Sequence, residues 1–112
     1  MQGQFQILTE LVRGVPPKQF TEGGRYYYYV RIYLEGLPSA LETIDLVKYM
    51  LHPTFKVRTR ISDDREHQFE IKIWTYGYFD TTATIVFRDG TTQAVRGYVE
   101  WQIPAGLAFD DE

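Results

Sequence analysis

The run from Tyr26 to Glu35 constrains the fold more than any other segment, because its side chains alternate in character over its whole length. In an extended strand, successive side chains point to opposite faces of the sheet. One face is largely apolar and carries Tyr28, Val30, Ile32 and Leu34. The other face is mixed and carries Tyr29, Arg31, Tyr33 and Glu35. The run therefore predicts a strand with one buried face.

Several further segments have strand character, namely residues 44–51, 56–61, 69–73, 81–87 and the stretch after Asp89-Gly90. Short strands separated by turn signals, without a long helical period between them, predict an all-β domain built as an antiparallel β-sandwich. The alternation also predicts which residues fill the space between the sheets. They are Val30, Ile32, Ile71, Ile73, Ile85 and Phe87.

Asp89-Gly90 is the strongest hairpin signal, because a type I′ turn needs positive φ at both central residues. A two-residue loop would pair Phe87 with Thr92. The larger apolar residues of the return strand would then face away from the core; these are Val95, Val99 and Trp101. A bulge or a longer loop is therefore expected.

The remaining segments are less regular. In the N-terminal segment, residues 1–24, positions 5–12 fit a strand or a short helix, and Pro16-Pro17 ends any regular element. Ser39-Ala40-Leu41-Glu42 resembles a capping box and predicts a brief helical turn. The sandwich is expected to occupy residues 25–104, followed by a disordered acidic tail at 105–112.

The chain has 112 residues, a net charge of −3 and no cysteine. This length suits one domain, and the missing cysteine excludes disulfides and thiolate sites. Lys56, Arg58 and Arg60 are the one cluster of cations, too few for a nucleic-acid interface. No signal peptide is recognisable, and no segment has the roughly 18 apolar residues of a membrane span. The sequence predicts a cytoplasmic protein without nucleic-acid or membrane partners.

Residues suited to catalysis are sparse. His67 lies in a polar turn, and His52 has no His or carboxylate at metal-ligand spacing. Ser39 and Ser62 have no base near them in the sequence, and no glycine-rich phosphate motif occurs. The chain is therefore expected to be a binding protein rather than an enzyme, with no catalytic residue, no metal and no other cofactor.

Two loops, residues 52–55 and 74–79, are rich in aromatic side chains. Both follow apolar strands, so both are expected at one end of the sandwich, where binding loops gather. Trp74 and Phe79 are expected to be core residues at strand ends.

Residues 47–55, Val-Lys-Tyr-Met-Leu-His-Pro-Thr-Phe, resemble the signature of the YEATS domain, in which a strand ends in Leu-His-x-Ser/Thr-Phe. At a spacing typical of that family, residues 75–79, Thr-Tyr-Gly-Tyr-Phe, resemble its Gly-aromatic-Gly-x-Phe loop. Two motifs in the right order are more specific than either alone. The resemblance covers residues 26–101, and the closing Gly-Tyr-Val-Glu-Trp at 97–101 is similar to the prokaryotic branch.

The resemblance implies an immunoglobulin-like β-sandwich that binds acylated lysine. It makes Phe55 and Tyr76 the two rings that hold the flat acyl-amide, instead of core residues. It gives Thr54 the hydroxyl that bonds the amide, and Tyr76 the backbone N–H that bonds the acyl carbonyl. Gly77 would let the second loop turn. The implied ligand-binding residues are His52, Thr54, Phe55, Thr75, Tyr76, Gly77 and Tyr78.

The sequence departs from the family pattern in three respects. Thr54 stands where serine is common in the eukaryotic members, which is a mild change. Thr75 stands where a glycine usually precedes the loop aromatic, which is expected to narrow the loop. There is also no clear counterpart of the acidic residues with which eukaryotic members hold basic histone tails. Two functions stay open: a reader of acylated lysine or a similar planar amide on a peptide or protein, or a scaffold. The scaffold would bind a protein through an edge strand or a tyrosine-rich face, formed by Tyr27, Tyr29 and Tyr33.

Overall fold

A computed structural model describes residues 5–19 and 26–102. Within these residues the elements are β1 Gln6–Leu11, β2 Lys18–Gln19, β3 Tyr26–Glu35, α1 Pro38–Leu41, β4 Ile44–Met50, β5 Thr59–Ser62, β6 Ile71–Thr75, β7 Phe79–Phe87 and β8 Thr92–Val99. A 3-10 turn, Arg65–His67, joins β5 to β6. The chain is therefore all-β, as predicted.

The strands form two antiparallel sheets. In one sheet β3 pairs with β1, β2 and β6, and in the other the order is β5-β4-β7-β8. The alternation of β3 explains its central place, because Val30, Ile32 and Leu34 are fully buried while its opposite face is not. The predicted immunoglobulin-like β-sandwich is confirmed.

The core lies between the sheets, and five of the six residues expected there are buried: Val30, Ile32, Ile71, Ile73 and Ile85. Burying such a side chain contributes roughly 1.5–3 kcal/mol. Phe87 is the exception. It is half-buried at the end of β7, where its ring packs against Phe5 with the centroids 6.1 Å apart.

The β7–β8 hairpin has the longer loop that the apolar pattern predicted. Gly90 has a φ of 89°, and the backbone N–H of Phe87 donates to the carbonyl of Thr91 at 2.9 Å. A three-residue loop that ends in a left-handed glycine is a common hairpin connection. The resulting register places Val99 opposite Phe79, and both are buried.

The N-terminal segment, which the sequence left open between strand and helix, contains β1, which pairs along its whole length with β3. The helical turn α1 is present, but its N-cap is Leu37, without a side-chain cap bond. Ser39 lies inside the turn, so the capping-box interpretation was wrong. The acidic tail lies outside the described residues. None of the helices that the structure describes has the length and apolar character needed to cross a membrane.

Candidate ligand-binding site

A cavity of about 530 Å³ opens at one end of the sandwich, between a first loop, residues 51–58, and a second loop, residues 76–78. All the residues implied by the sequence motifs line it: His52, Thr54, Phe55, Thr75, Tyr76, Gly77 and Tyr78. Four further residues contribute, and they are Tyr27, Lys56, Trp74 and Phe79. We refer to this cavity as the slot.

Backbone hydrogen bonds define the first loop. The backbone N–H of Leu51 donates to the carbonyl of Arg58, and Nε of Arg58 donates to the carbonyl of Leu51, both at 2.8 Å. Between them, the N–H of Phe55 donates to the carbonyl of His52 at 3.0 Å. Pro53 is the second residue of this turn, where its fixed φ is favoured. The motif therefore folds locally into a turn that presents Thr54 and Phe55.

The imidazole of His52 fixes the orientation of Thr54. Nδ1 of His52 accepts the backbone N–H of Thr54 at 3.2 Å and lies 2.9 Å from the Thr54 hydroxyl oxygen. In the tautomer in which Nδ1 carries no proton, this nitrogen accepts the hydrogens of both the N–H and the hydroxyl of Thr54. The lone pairs of the Thr54 oxygen are then left to accept a hydrogen bond from a ligand.

The second loop is held by Thr75, the buried last residue of β6. Its hydroxyl donates to the carbonyl of Gly77 at 3.0 Å and accepts the Gly77 N–H at 3.4 Å. Gly77 does not adopt the left-handed conformation that requires glycine. The chain bends at residues 76–77, so the loop turns at Gly77 without a left-handed backbone. A Cβ at this position would have no described atom within 4 Å.

Each of the two rings expected to hold the amide has one other ring behind it. The ring centroid of Phe55 lies 5.4 Å from that of Phe79, whose ring is buried. Tyr76 is 46% exposed, and its ring meets that of Tyr27 edge-on at 5.2 Å. The slot therefore combines one ring anchored on the core with one that remains open to solvent.

The chain matches the model of the prokaryotic YEATS domain over residues 28–100. It belongs to the prokaryotic YEATS family. The structure of this YEATS domain is similar to the crystal structure of the yeast AF-9 homolog Yaf9, with a TM-score of 0.64 and 15% sequence identity. The match covers 88% of this chain and 66% of the Yaf9 chain. It is also similar to the Yaf9 YEATS domain bound to H3K27ac, with a TM-score of 0.63, 16% identity, and coverage of 90% and 72%. At these identities the likeness establishes the fold. No curated protein matched.

Tyr27 was missed in the sequence because its place depends on strand pairing. Tyr28 on β3 pairs with Thr75 on β6, so the neighbouring Tyr27 lies beside Tyr76. A correct pairing of β3 with β6 would have revealed it. From the sequence alone, Tyr27 belonged to the tyrosine-rich face of a scaffold, whereas in this YEATS domain it lines the slot.

Trp74 is not the core residue that the sequence predicted. Along β6, Ile71, Ile73 and Thr75 point inward, so Trp74 between them points outward and is half-buried. Its ring lies on that of Tyr29 with the centroids 4.8 Å apart. Nζ of Lys18 lies 5.0 Å from its centroid. Phe79, the other aromatic expected in the core, is indeed buried.

Tyr78 forms the outer wall of the slot. Its ring is 51% exposed, and its hydroxyl donates to the carbonyl of Trp101 at 2.8 Å. The rings of Tyr78 and Trp101 also meet edge-on at 4.7 Å. Because Trp101 is buried, this contact ties the wall to the core.

A separate group of possible metal ligands lies near β6. Carboxylate and imidazole atoms of Asp64, His67 and Glu70 lie within 4.8 Å of one another. The Glu70 carboxylate already accepts from Nε of Arg31 at 2.5 Å, and Nζ of Lys72 lies 3.7 Å from it. The hydrogen bond that the imidazole of His67 donates to the carboxylate of Asp64 raises the pKa of His67. The carboxylates of this group are therefore already paired with Arg31, Lys72 and His67.

Proposed function

We propose that this YEATS domain is a non-enzymatic reader that binds an acylated lysine, or a similar planar amide, in the slot. One observation carries the proposal: Phe55 and Tyr76, from different loops, line one cavity together with the hydroxyl of Thr54. A flat amide stacks favourably on aromatic rings, and its N–H and carbonyl need partners once water is removed. The slot offers both kinds of contact.

The polarity of Thr54 fits this ligand. When Nδ1 of His52 carries no proton it accepts the hydroxyl hydrogen, and the Thr54 oxygen can then accept the amide N–H of an acylated lysine. An unmodified lysine would present a charged ammonium instead, which loses hydration among the aromatic rings. An ammonium could donate to the same oxygen, so the cost of removing its hydration, rather than the hydrogen bond, favours the acylated side chain.

The dimensions of the slot fit a small group at the end of a long side chain. Its volume of about 530 Å³ lies within the ordinary range for ligand pockets. The related Yaf9 YEATS domain is described in complexes with H3K27ac and with an H3K122suc peptide. These complexes support an acylated peptide as the class of ligand. We expect the partner here to be an acylated protein of the cytoplasm.

The scaffold alternative loses support from the packing of its tyrosine-rich face. Tyr27 is part of the slot, Tyr29 is covered by Trp74, and the ring of Tyr33 lies 3.8 Å below the guanidinium of Arg31. All three tyrosines are half-buried. The face therefore presents few free rings to a partner.

The test uses one fluorescent peptide that carries acetyl-lysine, crotonyl-lysine or unmodified lysine at the same position, with binding followed by anisotropy. An acyl-amide head has about six non-hydrogen atoms, and small ligands gain at most about 1.5 kcal/mol per atom. The expected dissociation constant for the acylated peptides is therefore about micromolar or weaker. Equal binding of the unmodified peptide, or no binding of any acylated one, would contradict the proposal.

A further inference from the structure

A groove of about 650 Å³ adjoins the slot on the outer face of the sheet β5-β4-β7-β8. The two cavities share His52, Tyr78 and Phe79 in their walls. A peptide whose modified side chain enters the slot therefore has its backbone at the rim of this groove. The residues that flank the modified lysine would lie against the groove.

Strand pairing defines the floor of the groove. Met50 on β4 pairs with Thr82 on β7, which in turn pairs with Arg96 on β8, so the three side chains form a row across the sheet. Asp80 and Tyr98 form the neighbouring pair. Met50, Asp80, Arg96 and Tyr98 are exposed and thus accessible to a ligand.

The groove carries more positive than negative charge. Its lining includes Arg58 and Arg96 but one carboxylate, Asp80. Nε of Arg58 is engaged by the carbonyl of Leu51. Within residues 5–19 and 26–102, Arg96 makes no hydrogen bond, ion pair or ring contact. A planar guanidinium with its donors available matches the geometry of a carboxylate.

We infer that the groove selects acylated peptides with acidic residues beside the modified lysine, and that Arg96 binds one of their carboxylates. This inference rests on the proposed function of the slot, and it names the class of peptide that the slot receives. Lys48 lies on the same outer face of β4 and adds to the positive potential. A basic flanking sequence would instead bring like charges together at Arg58 and Arg96.

The experiment compares three peptides with the same acylated lysine and acidic, neutral or basic flanking residues on both sides. An exposed charge pair is worth about two- to fivefold in affinity, so the acidic peptide should bind tighter than the neutral one by that factor. The basic peptide should bind more weakly than both. The differences should shrink as salt is added, because exposed charges are screened.

Two variants assign the preference to one residue. Arg96→Gln should reduce the difference between acidic and neutral flanks, with the remainder due to Arg58 and Lys48, and Arg96→Glu should reduce it further. Arg88→Gln is the matched control, because it removes the same charge from an exposed residue at the turn of the same hairpin. It should keep the preference of the parent. Thermal melting should be similar for all variants, because both arginines are exposed.

The outcomes separate the two proposals. Acyl-dependent binding with equal affinity for the three flanks would overturn the inference about the groove and leave the slot in place. A preference for acidic flanks that is as large in Arg96→Gln as in the parent would also overturn it. Binding that depends on flanking charge but not on the acyl group would overturn the proposed function, and with it this inference.

Discussion

Nδ1 of His52 contacts two polar groups of Thr54, the backbone N–H at 3.2 Å and the side-chain hydroxyl at 2.9 Å. When Nδ1 carries no proton, this pairing leaves the hydroxyl oxygen as an acceptor in the lining of the slot. Replacing Thr54 by valine removes this hydroxyl and leaves the side-chain volume nearly unchanged. The residue thus offers a direct test of the hydrogen bond to a ligand.

Thr54→Val should keep the fold and weaken binding. Thr54 is exposed, so its loss should change the melting temperature little. In the complex, the ligand amide N–H would be buried without a partner, which costs about 1–3 kcal/mol. Titration with the acetylated peptide checks this. Thr54→Ser keeps the hydroxyl and should bind almost as the parent does; a Thr54→Val protein with parental affinity would rule out the hydrogen bond.

Phe55→Ala and Tyr76→Ala should both abolish measurable binding but differ in stability. Truncation of a fully buried aromatic costs about 3–5 kcal/mol. Tyr76 is half-exposed, so Tyr76→Ala should lower the free energy of unfolding by much less than this. Phe55 packs against the core, so the loss for Phe55→Ala should be intermediate between that of Tyr76→Ala and that of a fully buried aromatic. Urea unfolding and peptide titration measure the two effects. Leu37→Ala, at an exposed position outside the slot, is the control that should affect neither.

The opposite pattern would count against the slot. If Tyr76→Ala unfolded as easily as a core variant and the remaining folded protein still bound the acylated peptide, the ring would be structural. The scaffold interpretation would then regain its place.

Gly77→Ala should separate the shape of the slot from the stability of the loop. The backbone at Gly77 is not left-handed, and a Cβ there would have no described atom within 4 Å. The free energy of unfolding should therefore change by at most about 0.5 kcal/mol. Because Gly77 lines the slot, the added methyl should reduce its width and lower the affinity for the acylated peptide. Unchanged affinity would place the bound amide away from Gly77.

Most features that depend on local alternation were predicted from the sequence, whereas contacts that depend on pairing between strands were missed. The alternation of β3 was sufficient to place Val30 and Ile32 in the core. The contact of Tyr27 with Tyr76 depends on the register of β3 against β6, which one sequence does not specify. Trp74 was assigned to the core as an aromatic at a strand end, although the alternation of β6 points it outward.

The start of β6 illustrates a second limit. The sequence placed a strand at residues 69–73, but β6 is Ile71–Thr75. Gln68 and Phe69 both have positive φ, at 60° and 57°, and the backbone N–H of Phe69 donates to the carbonyl of Asp64 at 2.8 Å. Positive φ is uncommon for such residues, so neither signals a turn in the sequence. The tertiary structure, which buries the Phe69 ring, selects this conformation.

Gly97→Ala should destabilise the sandwich where its two sheets approach closely. A Cβ on Gly97 of β8 would lie 2.7 Å from Cβ of Ile7 on β1, so the strands would have to move apart. Such overpacking costs about 1–3 kcal/mol. Urea unfolding should show this loss. The double variant Gly97→Ala with Ile7→Gly, which removes that Cβ, should lose less than the sum of the two single losses, because the clash is gone; simple additivity would contradict the steric explanation.

Tyr49→Phe should destabilise the core through one hydrogen bond. The hydroxyl of Tyr49 is buried and donates to the carbonyl of Phe69 at 2.7 Å. Its removal leaves that carbonyl without its partner, at a cost of about 1–3 kcal/mol. Urea unfolding near neutral pH measures the difference between parent and variant. A loss within experimental error would mean that water replaces the hydroxyl.

The same variant should make stability less sensitive to alkaline pH. Burial raises the pKa of Tyr49 above its ordinary value of about 10, so the folded state retains a proton that the unfolded chain releases. The stability from this residue is therefore complete below about pH 10 and declines as the pH rises further. The free-energy difference between parent and Tyr49→Phe should narrow from pH 8 to pH 11 (about one unit above the unfolded pKa). Comparing the two proteins cancels the contribution of Tyr33, whose pKa is also raised by burial. A difference that stays constant across this range would show that Tyr49 ionises as easily in the folded protein as in the unfolded chain.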